Sequence, residues 1–240
     1  MSVKAVLHAE WMKIRTLRSL LLALLGGLVA TAGISAVASA TYDGKESDFD
    51  PVFYSFFGLP FGQIAAVCFG VLAVANEYTG GGIRVWLAAV PRRGLYYGCK
   101  LTVVGLCALA VGLVTGFVSL LSGQALLGDE GVGPGAQGAL RAAVGCGIYL
   151  ALLTVLAAGV AAVLRSSVGA LALVVPVVSF LSPVFGATSA TRFLPDQAGQ
   201  QVLHATPEGP LGAWTGLGVL ALYTAVAVFC GRLAVERRDS

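Results

Sequence analysis

The side chains best suited to chemistry are few in this chain and lie far apart. Its two histidines, His8 and His204, are too distant in sequence to indicate a haem pair, a zinc site or a Ser-His dyad. The glycine run 80–82 follows no predicted strand and precedes no Lys-Ser/Thr pair, so it is not a P-loop. The cysteines have neither metal-site nor redox spacing, which is typical of small packing residues; they are Cys68, Cys99, Cys107, Cys146 and Cys230. We therefore expect no catalytic, cofactor-binding or metal-binding residue.

The elements that must position any functional residue are six long apolar stretches. Only 11% of the 240 residues are charged and 57% are hydrophobic, with a mean hydropathy of +0.86. About 20 residues are needed for a helix to cross a hydrocarbon layer of about 30 Å. The stretches are Leu20–Ala40, Val52–Ala75, Leu101–Ser122, Ala142–Leu164, Val168–Phe185 and Leu211–Ala234. They predict a single all-α polytopic membrane domain, residues 1–240, with six transmembrane helices.

Two of these stretches admit a second interpretation. The first ends in Ala38-Ser39-Ala40, which resembles a signal-peptidase site, but its apolar run exceeds the usual 7–15 residues. We expect an uncleaved first helix. The fourth and fifth stretches are separated only by Arg165-Ser166-Ser167. A single span over both would be far too long, so a tight turn between two spans is predicted.

The distribution of basic residues predicts the orientation of the chain. With the N-terminus inside and six alternating spans, the cytoplasmic segments hold 12 of the 15 Lys and Arg residues. Basic residues near the membrane favour the cytoplasmic side. Lys45, Arg141 and Arg192 are the exceptions. The sequence therefore predicts a multi-pass protein of the plasma membrane with both termini in the cytoplasm.

The predicted spans carry no ionisable residue near their middle. Such residues mark proton and ion coupling in carriers and pumps, so their absence argues against a proton-driven carrier. No nucleotide-binding motif occurs anywhere in the sequence either. If the protein moves a solute uphill, we expect a separate subunit to supply the energy.

Residues 1–18 predict an amphipathic helix in the inner membrane interface, here called the elbow helix. Its apolar face contains Val3, Val6, Leu7, Trp11, Ile14 and Leu17. Glu10 points into the middle of that face. It either stays local, turning toward lipid headgroups or pairing with Lys13 or Arg15, or it pairs with a basic residue of another cytoplasmic segment. Both interpretations stay open on the sequence.

The longest cytoplasmic loop joins the second and third spans. After Gly80-Gly81-Gly82, the segment Ile83–Val90 predicts two helical turns that end before Pro91. This short helix carries Trp86 and Leu87 and is followed by Arg92 and Arg93. It is suited to contact a partner, but an interfacial helix anchored by Trp86 is equally compatible with its composition.

Other features shape the predicted spans and their connections. Residues 194–203 predict a short external helix with Pro195 in its first turn. Pro176 and Pro183 lie seven residues apart in the fifth span, where they either kink it toward a cavity or serve packing alone. In the third span, Gly112 and Gly116 allow close approach of a neighbouring helix.

Two segments resemble a known family. The stretches Glu10–Arg18 and Glu77–Arg84, continued by Ala88–Arg93, look like those of type-2 ABC exporter permeases. More narrowly, they resemble the short six-span permeases common in high-GC Gram-positive bacteria. The resemblance covers the whole chain, although Gly82 stands where a Thr is commonly found.

The resemblance implies a transport subunit without an ATPase site of its own. Two permease chains, identical or different, would pair around a central path, and each would dock a separate cytoplasmic ATPase. The docking residues implied are Glu77, Ile83, Arg84, Trp86, Leu87, Arg92 and Arg93, with Glu10 and Trp11 on the adjacent elbow helix. The other implied partner is membrane lipid, not nucleic acid, and no cofactor is expected. A lipophilic or amphipathic cargo is expected; the alternative is a non-transporting immunity or sensor subunit that binds an ABC ATPase or a peptide.

Overall fold

The computed structural model describes residues 3–44, 49–79, 93–133, 135–181, 184, 191–206 and 211–238, which contain helices and no strand. The α-helices are α1 (Val3–Thr16), α2 (Arg18–Ala40), α3 (Pro51–Tyr54), α4 (Leu59–Thr79), α5 (Arg93–Leu126), α6 (Ala139–Leu164), α7 (Ser167–Ser179), α8 (Pro195–Gln200) and α9 (Ala213–Arg238). Short 3-10 helices cover Gly128–Glu130, Thr191–Phe193 and Gln201–Leu203.

Five of these helices, α2, α4, α5, α6 and α9, are long and apolar enough to cross a membrane. Helix α7 is equally apolar but has only 13 residues, a length of about 20 Å. Of the rest of the predicted fifth span, residues 180–185, the structure describes only 180, 181 and 184. The predicted class, an all-α polytopic membrane protein, therefore fits the structure, while the count of six spans stays a prediction.

Helix α6 lies at the centre of the bundle, packed against α4, α5 and α9. Its buried face consists mainly of small residues, including Ala143, Ala157 and Ala161, so neighbouring backbones approach closely. A Cβ added at Gly112 of α5 would lie 3.0 Å from the Cα of Gly147 in α6. This confirms the close approach predicted for the third span.

Several helix ends meet at one end of the bundle, which we call the basic end. Arg165, in the turn between α6 and α7, donates to the carbonyl of Ala234 near the end of α9, at 3.1 Å. Arg93, the first residue of α5, donates to the carbonyl of Glu236 at 3.5 Å. The end of α4 and the start of α5 are joined here as well, by the 2.6 Å bond from Lys100 to Glu77 described below.

The other end of the bundle, the opposite end, contains the start of α6 and the segment after α8. Arg141 of α6 donates to the carbonyl of Ala205 at 2.9 Å, and Ala205 donates its N–H to Asp50 at 2.8 Å. Since α6 ends at the basic end, the chain between Ser167 and Ala205 passes from the basic end to the opposite end. Helix α7 forms the first part of that passage.

Two helices differ from the predicted spans. The predicted second span, 52–75, is interrupted between α3 and α4, where Gly58 donates its N–H to the Ser35 hydroxyl at 2.9 Å. A side chain at Gly58 would collide with the backbone of Thr31. Pro60, in the first turn of α4, has no backbone N–H with which to continue a helix from α3. Helix α5 begins at Arg93, eight residues before the predicted third span, because its first two turns pack against α1.

The turn between the fourth and fifth apolar stretches lies at the predicted position. Arg165 adopts a left-handed conformation with φ 53°, and the Ser166 hydroxyl caps α7 by accepting from the N–H of Gly169 at 3.1 Å. The predicted helix at Pro195 is also present as α8. It packs against α9, where Gly216 faces Ala198 without room for a side chain.

Candidate functional site

Three helices bring a group of charged side chains together at the basic end. Helix α1 contributes Glu10 and Lys13, one turn apart; α4 contributes Glu77, just before its last residues; and α5 contributes Tyr96 and Lys100, also one turn apart. We call these five residues the charge cluster. Spacings of three and four residues place each pair on one helix face, so α1 and α5 can each direct two side chains at the same point.

Each carboxylate of the charge cluster contacts both ammonium groups. Glu10 accepts from Lys13 at 2.6 Å and from Lys100 at 2.9 Å. Glu77 accepts from Lys13 at 2.8 Å and from Lys100 at 2.6 Å through the same oxygen, Oε1. The hydroxyl of Tyr96 donates to the other oxygen of Glu77. The network therefore links α1, α4 and α5 directly.

The charge cluster is electrically balanced and largely withdrawn from solvent. The side chains of Glu10 and Lys100 are 4% and 5% exposed, and those of Glu77 and Lys13 are 13% and 22% exposed. A buried charge without its partner is costly, whereas two carboxylates shared between two ammonium groups are mutually compensated. Both ammonium groups also lie over the ring of Tyr96, at 5.6 and 5.7 Å from its centre.

The charge cluster explains why a carboxylate interrupts the apolar face of the elbow helix. Val6, Glu10 and Ile14 are the residues that α1 buries, and α1 packs mainly against α5. This stripe of α1 faces α5, and the ammonium group of Lys100 on α5 therefore lies within reach of Glu10. Both partners considered from the sequence occur together: Lys13 on the same helix and the basic residue of another segment, Lys100.

The two helices that flank the predicted docking loop, α4 and α5, both contribute to the charge cluster. Its central docking residues, Ile83, Arg84, Trp86, Leu87 and Arg92, lie outside the described residues. Of the docking residues that the structure describes, Glu77 belongs to the charge cluster, and Arg93 donates to the carbonyl of Glu236 in α9. Contacts to Glu77 from Tyr96 and Lys100 join the two helices that flank the loop.

A second set of contacts ties the same loop flank to the centre of the bundle. The guanidinium of Arg165 lies 5.4 Å from the ring centre of Tyr78, the residue after Glu77. Arg165 also donates to Ala234 in α9. The end of α4 is therefore held on one side by α1 and α5 and on the other by the turn between α6 and α7.

Sequence reasoning identified only part of this arrangement. The sequence patterns point to Glu10 and Glu77. Lys100 is only one of the basic residues that predict the orientation of the chain, and no pattern points to Tyr96. Trp11, assigned to the elbow helix as a contact residue, is 49% exposed and lies outside the charge cluster. Tyr96 and Lys100 lie four residues apart, directly before the predicted third span. This helical spacing is the sequence signal that the helix begins before Leu101.

The charge cluster holds three helices together. Among the residues that the structure describes, no group of three or more His, Cys, Asp or Glu side chains could hold a metal ion. The carboxylates and ammonium groups of the charge cluster pair with one another, and the two helices that flank the loop of residues 80–92 both contribute to it. No protein-family model matches the chain, and comparison with curated proteins returned no match either.

Proposed function

We propose that this chain is the membrane-spanning permease subunit of an ATP-driven ABC exporter. In this proposal it crosses the plasma membrane six times, with both termini and the basic end in the cytoplasm. It pairs with a second permease chain, of the same or another kind, to form the substrate path. The loop of residues 80–92 docks a separate ATPase, which performs the ATP chemistry.

The observation that carries the proposal is the attachment of both loop flanks to the charge cluster. A docking helix can move the spans only if its connections transmit force and do not simply bend. Glu77 before the loop is joined to Lys100 after it at 2.6 Å, and the elbow helix is joined to both through Lys13 and Glu10. A push on the loop would therefore act on α1, α4 and α5 together.

The course of the chain supports six crossings. Helices α6 and α9 both end at the basic end, so the segment between them must return to the opposite end before α9 begins. The apolar helix α7 starts that return. If the basic end lies in the cytoplasm, as the excess of Lys and Arg favours, both termini lie there as well.

The positions of ionisable residues support an external energy source. In the long apolar helices these residues lie close to the helix ends, for example Lys100 in α5, Arg141 in α6 and Arg232 in α9. None is available near a helix centre to couple proton or ion movement to transport. An ATPase partner is therefore the energy source that this chain requires.

Docking is tested by co-purifying the tagged chain with the ATPase of its native complex. We expect Trp86→Ala and Arg84→Glu to reduce ATPase recovery by about tenfold, the effect of losing an interface anchor of 1.4 kcal/mol or more. The matched controls are Trp214→Ala and Arg192→Glu, which change exposed residues outside the loop. Wild-type recovery with both loop variants would overturn the docking assignment.

Transport is tested separately in proteoliposomes that contain the purified complex. The proposal expects ATP-dependent movement of a lipophilic dye across the membrane, abolished when the ATPase cannot hydrolyse ATP. An intact complex that hydrolyses ATP but moves neither dye nor lipid would overturn the exporter assignment. That result would instead favour a non-transporting subunit that binds an ABC ATPase.

A further inference from the structure

A wide apolar groove lies beside the elbow helix, on the flank that does not face the charge cluster. It has a volume of about 650 Å³ and runs between α1, the first turns of α2 and the middle of α5. We call it the elbow groove. Drug-sized ligands bind pockets of about 300–1,000 Å³, so the elbow groove is large enough for a ligand or a lipid chain.

The walls of the elbow groove are almost entirely apolar. Leu21 and Leu24 of α2 form one side, and α5 forms the other from Thr102 to Val111. These ten residues of helix span about 14 Å, which matches a long section of one acyl chain. Leu106 in this wall is 60% exposed, so the groove is open along this part of α5.

The charged side chains at the rim of the elbow groove are both cationic, Lys4 and Arg15. Lys4, His8 and Arg15 line it from one flank of α1, and no acidic residue lines it. These three side chains form no ion pair within the described part of the chain. Lys13, on another flank of the same helix, is in contrast fully engaged by Glu10 and Glu77.

We propose that the elbow groove binds an anionic phospholipid of the surrounding bilayer. The phosphate is held by Lys4 and Arg15, one acyl chain lies along α5 past Leu106, and Trp11 contacts the lipid at the boundary between headgroup and chain. An inorganic phosphate would leave the apolar walls uncovered, and a neutral lipid would leave the basic rim unmatched. The proposal goes beyond the transport function and does not depend on it.

Trp11 lines the elbow groove and provides a direct probe. The chain has two other tryptophans, Trp86 and Trp214, so Trp86→Phe with Trp214→Phe leaves Trp11 as the only indole. This full-length variant is placed in phosphatidylcholine vesicles that contain increasing fractions of brominated phosphatidylglycerol or brominated phosphatidylcholine. Bromine atoms quench Trp11 when they come close to its ring, as they do when their lipid occupies the groove or its rim.

We expect phosphatidylglycerol to bind at least about fivefold more tightly than phosphatidylcholine, since a basic residue near the surface of an anionic membrane contributes about that factor. Arg15→Glu should reduce the preference to about one. Arg18→Glu makes the same charge change outside the groove and should keep the wild-type preference. Ala110→Phe should weaken quenching by filling the groove, whereas Val114→Phe, one turn farther along α5, should not.

Three results would overturn the proposal. Equal quenching by the two brominated lipids would show that the rim does not select an anionic headgroup. An equal loss of preference in Arg15→Glu and Arg18→Glu would show that general surface charge accounts for the binding. No quenching by either lipid would show that another protein surface, such as a second copy of the chain, covers Trp11.

Discussion

The two ends of the bundle are held together by different kinds of contact. At the basic end, whole charges on three helices meet side chain to side chain, as in the pair formed by Glu10 and Lys100. At the opposite end, polar side chains reach mainly for backbone groups. Arg141 donates to the carbonyls of His204 and Ala205, at 2.5 and 2.9 Å, and Asp50 accepts the N–H of Ala205.

Gln124 shows the second kind of contact most clearly. Its amide nitrogen donates to the carbonyl of Pro51 at 2.8 Å and to the hydroxyl of Ser55 at 2.9 Å. Its amide oxygen accepts from the N–H groups of Val132 and Gly133, at 2.9 and 3.1 Å. One side chain thus fixes the loop after α5 against the start of α3.

This difference indicates how each end responds to force. A side chain bound to several backbone groups has one satisfied geometry, because the backbone groups cannot move independently. In the charge cluster each carboxylate has two ammonium partners, so one contact can weaken while another persists. Under the proposed function, the end that receives the push from the ATPase is the end whose contacts can exchange.

The largest effect is expected from Lys100→Met at the basic end. It leaves Glu10 and Glu77 with Lys13 as their only shared ammonium group and should lower the free energy of unfolding by about 3–5 kcal/mol. The measurement is unfolding in mixed micelles by titration with a denaturing detergent. The double variant Glu10→Met with Lys100→Met keeps the pair of Lys13 and Glu77 and should recover part of the loss. A double variant less stable than the single one would contradict the view that an unpaired carboxylate causes the damage.

A smaller effect is expected from Gln124→Ala at the opposite end. The loss of its four hydrogen bonds should lower the free energy of unfolding by about 2–3 kcal/mol, because the backbone groups it leaves are partly buried. The matched control is Ser122→Ala, two residues earlier, whose hydroxyl bonds only to carbonyls of its own helix. Equal stability of the two variants would show that the hydrogen bonds of Gln124 do not stabilise the opposite end.

Between the two ends, helix α5 offers a matched pair of glycines. Gly116→Ala places a methyl group against the backbone of Ala143 in α6 and should cost about 1–3 kcal/mol of unfolding free energy. Gly98→Ala meets nothing within 4 Å and should be neutral or stabilising by up to about 1 kcal/mol. Thermal unfolding of both variants tests the packing of α5 on α6. A stable Gly116→Ala protein would mean that these helices lie farther apart.

The smallest effect concerns the pH response of the opposite end. Burial alone would raise the pKa of Asp50, but hydrogen bonds with His204, Phe53 and Ala205 outweigh it and lower the pKa below the usual 3.8. A carboxyl with a lowered pKa stabilises the fold above its usual pKa, and this contribution is lost as the pH falls through the lowered value.

The free energy of unfolding should therefore fall less steeply in Asp50→Asn than in the wild type between about pH 5 and pH 3. The difference in this fall should be less than about 1 kcal/mol. Thermal unfolding across this pH range is the measurement. Asp129→Asn, at an exposed site of the same end, should keep the wild-type slope. If both variants keep that slope, the bonds to Asp50 do not stabilise its ionised form.

The sequence predicted the helical segments better than their boundaries. Apolar length alone identified α2, α6 and α9, and Arg165 marked the turn between α6 and α7. It did not predict the break at Gly58, which depends on the approach of Thr31 from another helix. Nor did it predict the early start of α5. Tyr96 and Lys100 stabilise these first turns of the helix only when α1 packs against them.

The candidate site divides in the same way. The position of Glu10 in an apolar stripe marks it, from the sequence alone, as a residue whose contacts need an explanation. The choice of Lys100 required the tertiary structure, because the two residues lie 90 positions apart and meet only when α1 packs on α5.

The sequence by itself determined that the chain forms helices long and apolar enough to cross a membrane, because that property depends on composition and length alone. Tertiary structure decided which charges meet. Pairing depends on distance and on the exclusion of water, and neither is set until the helices pack.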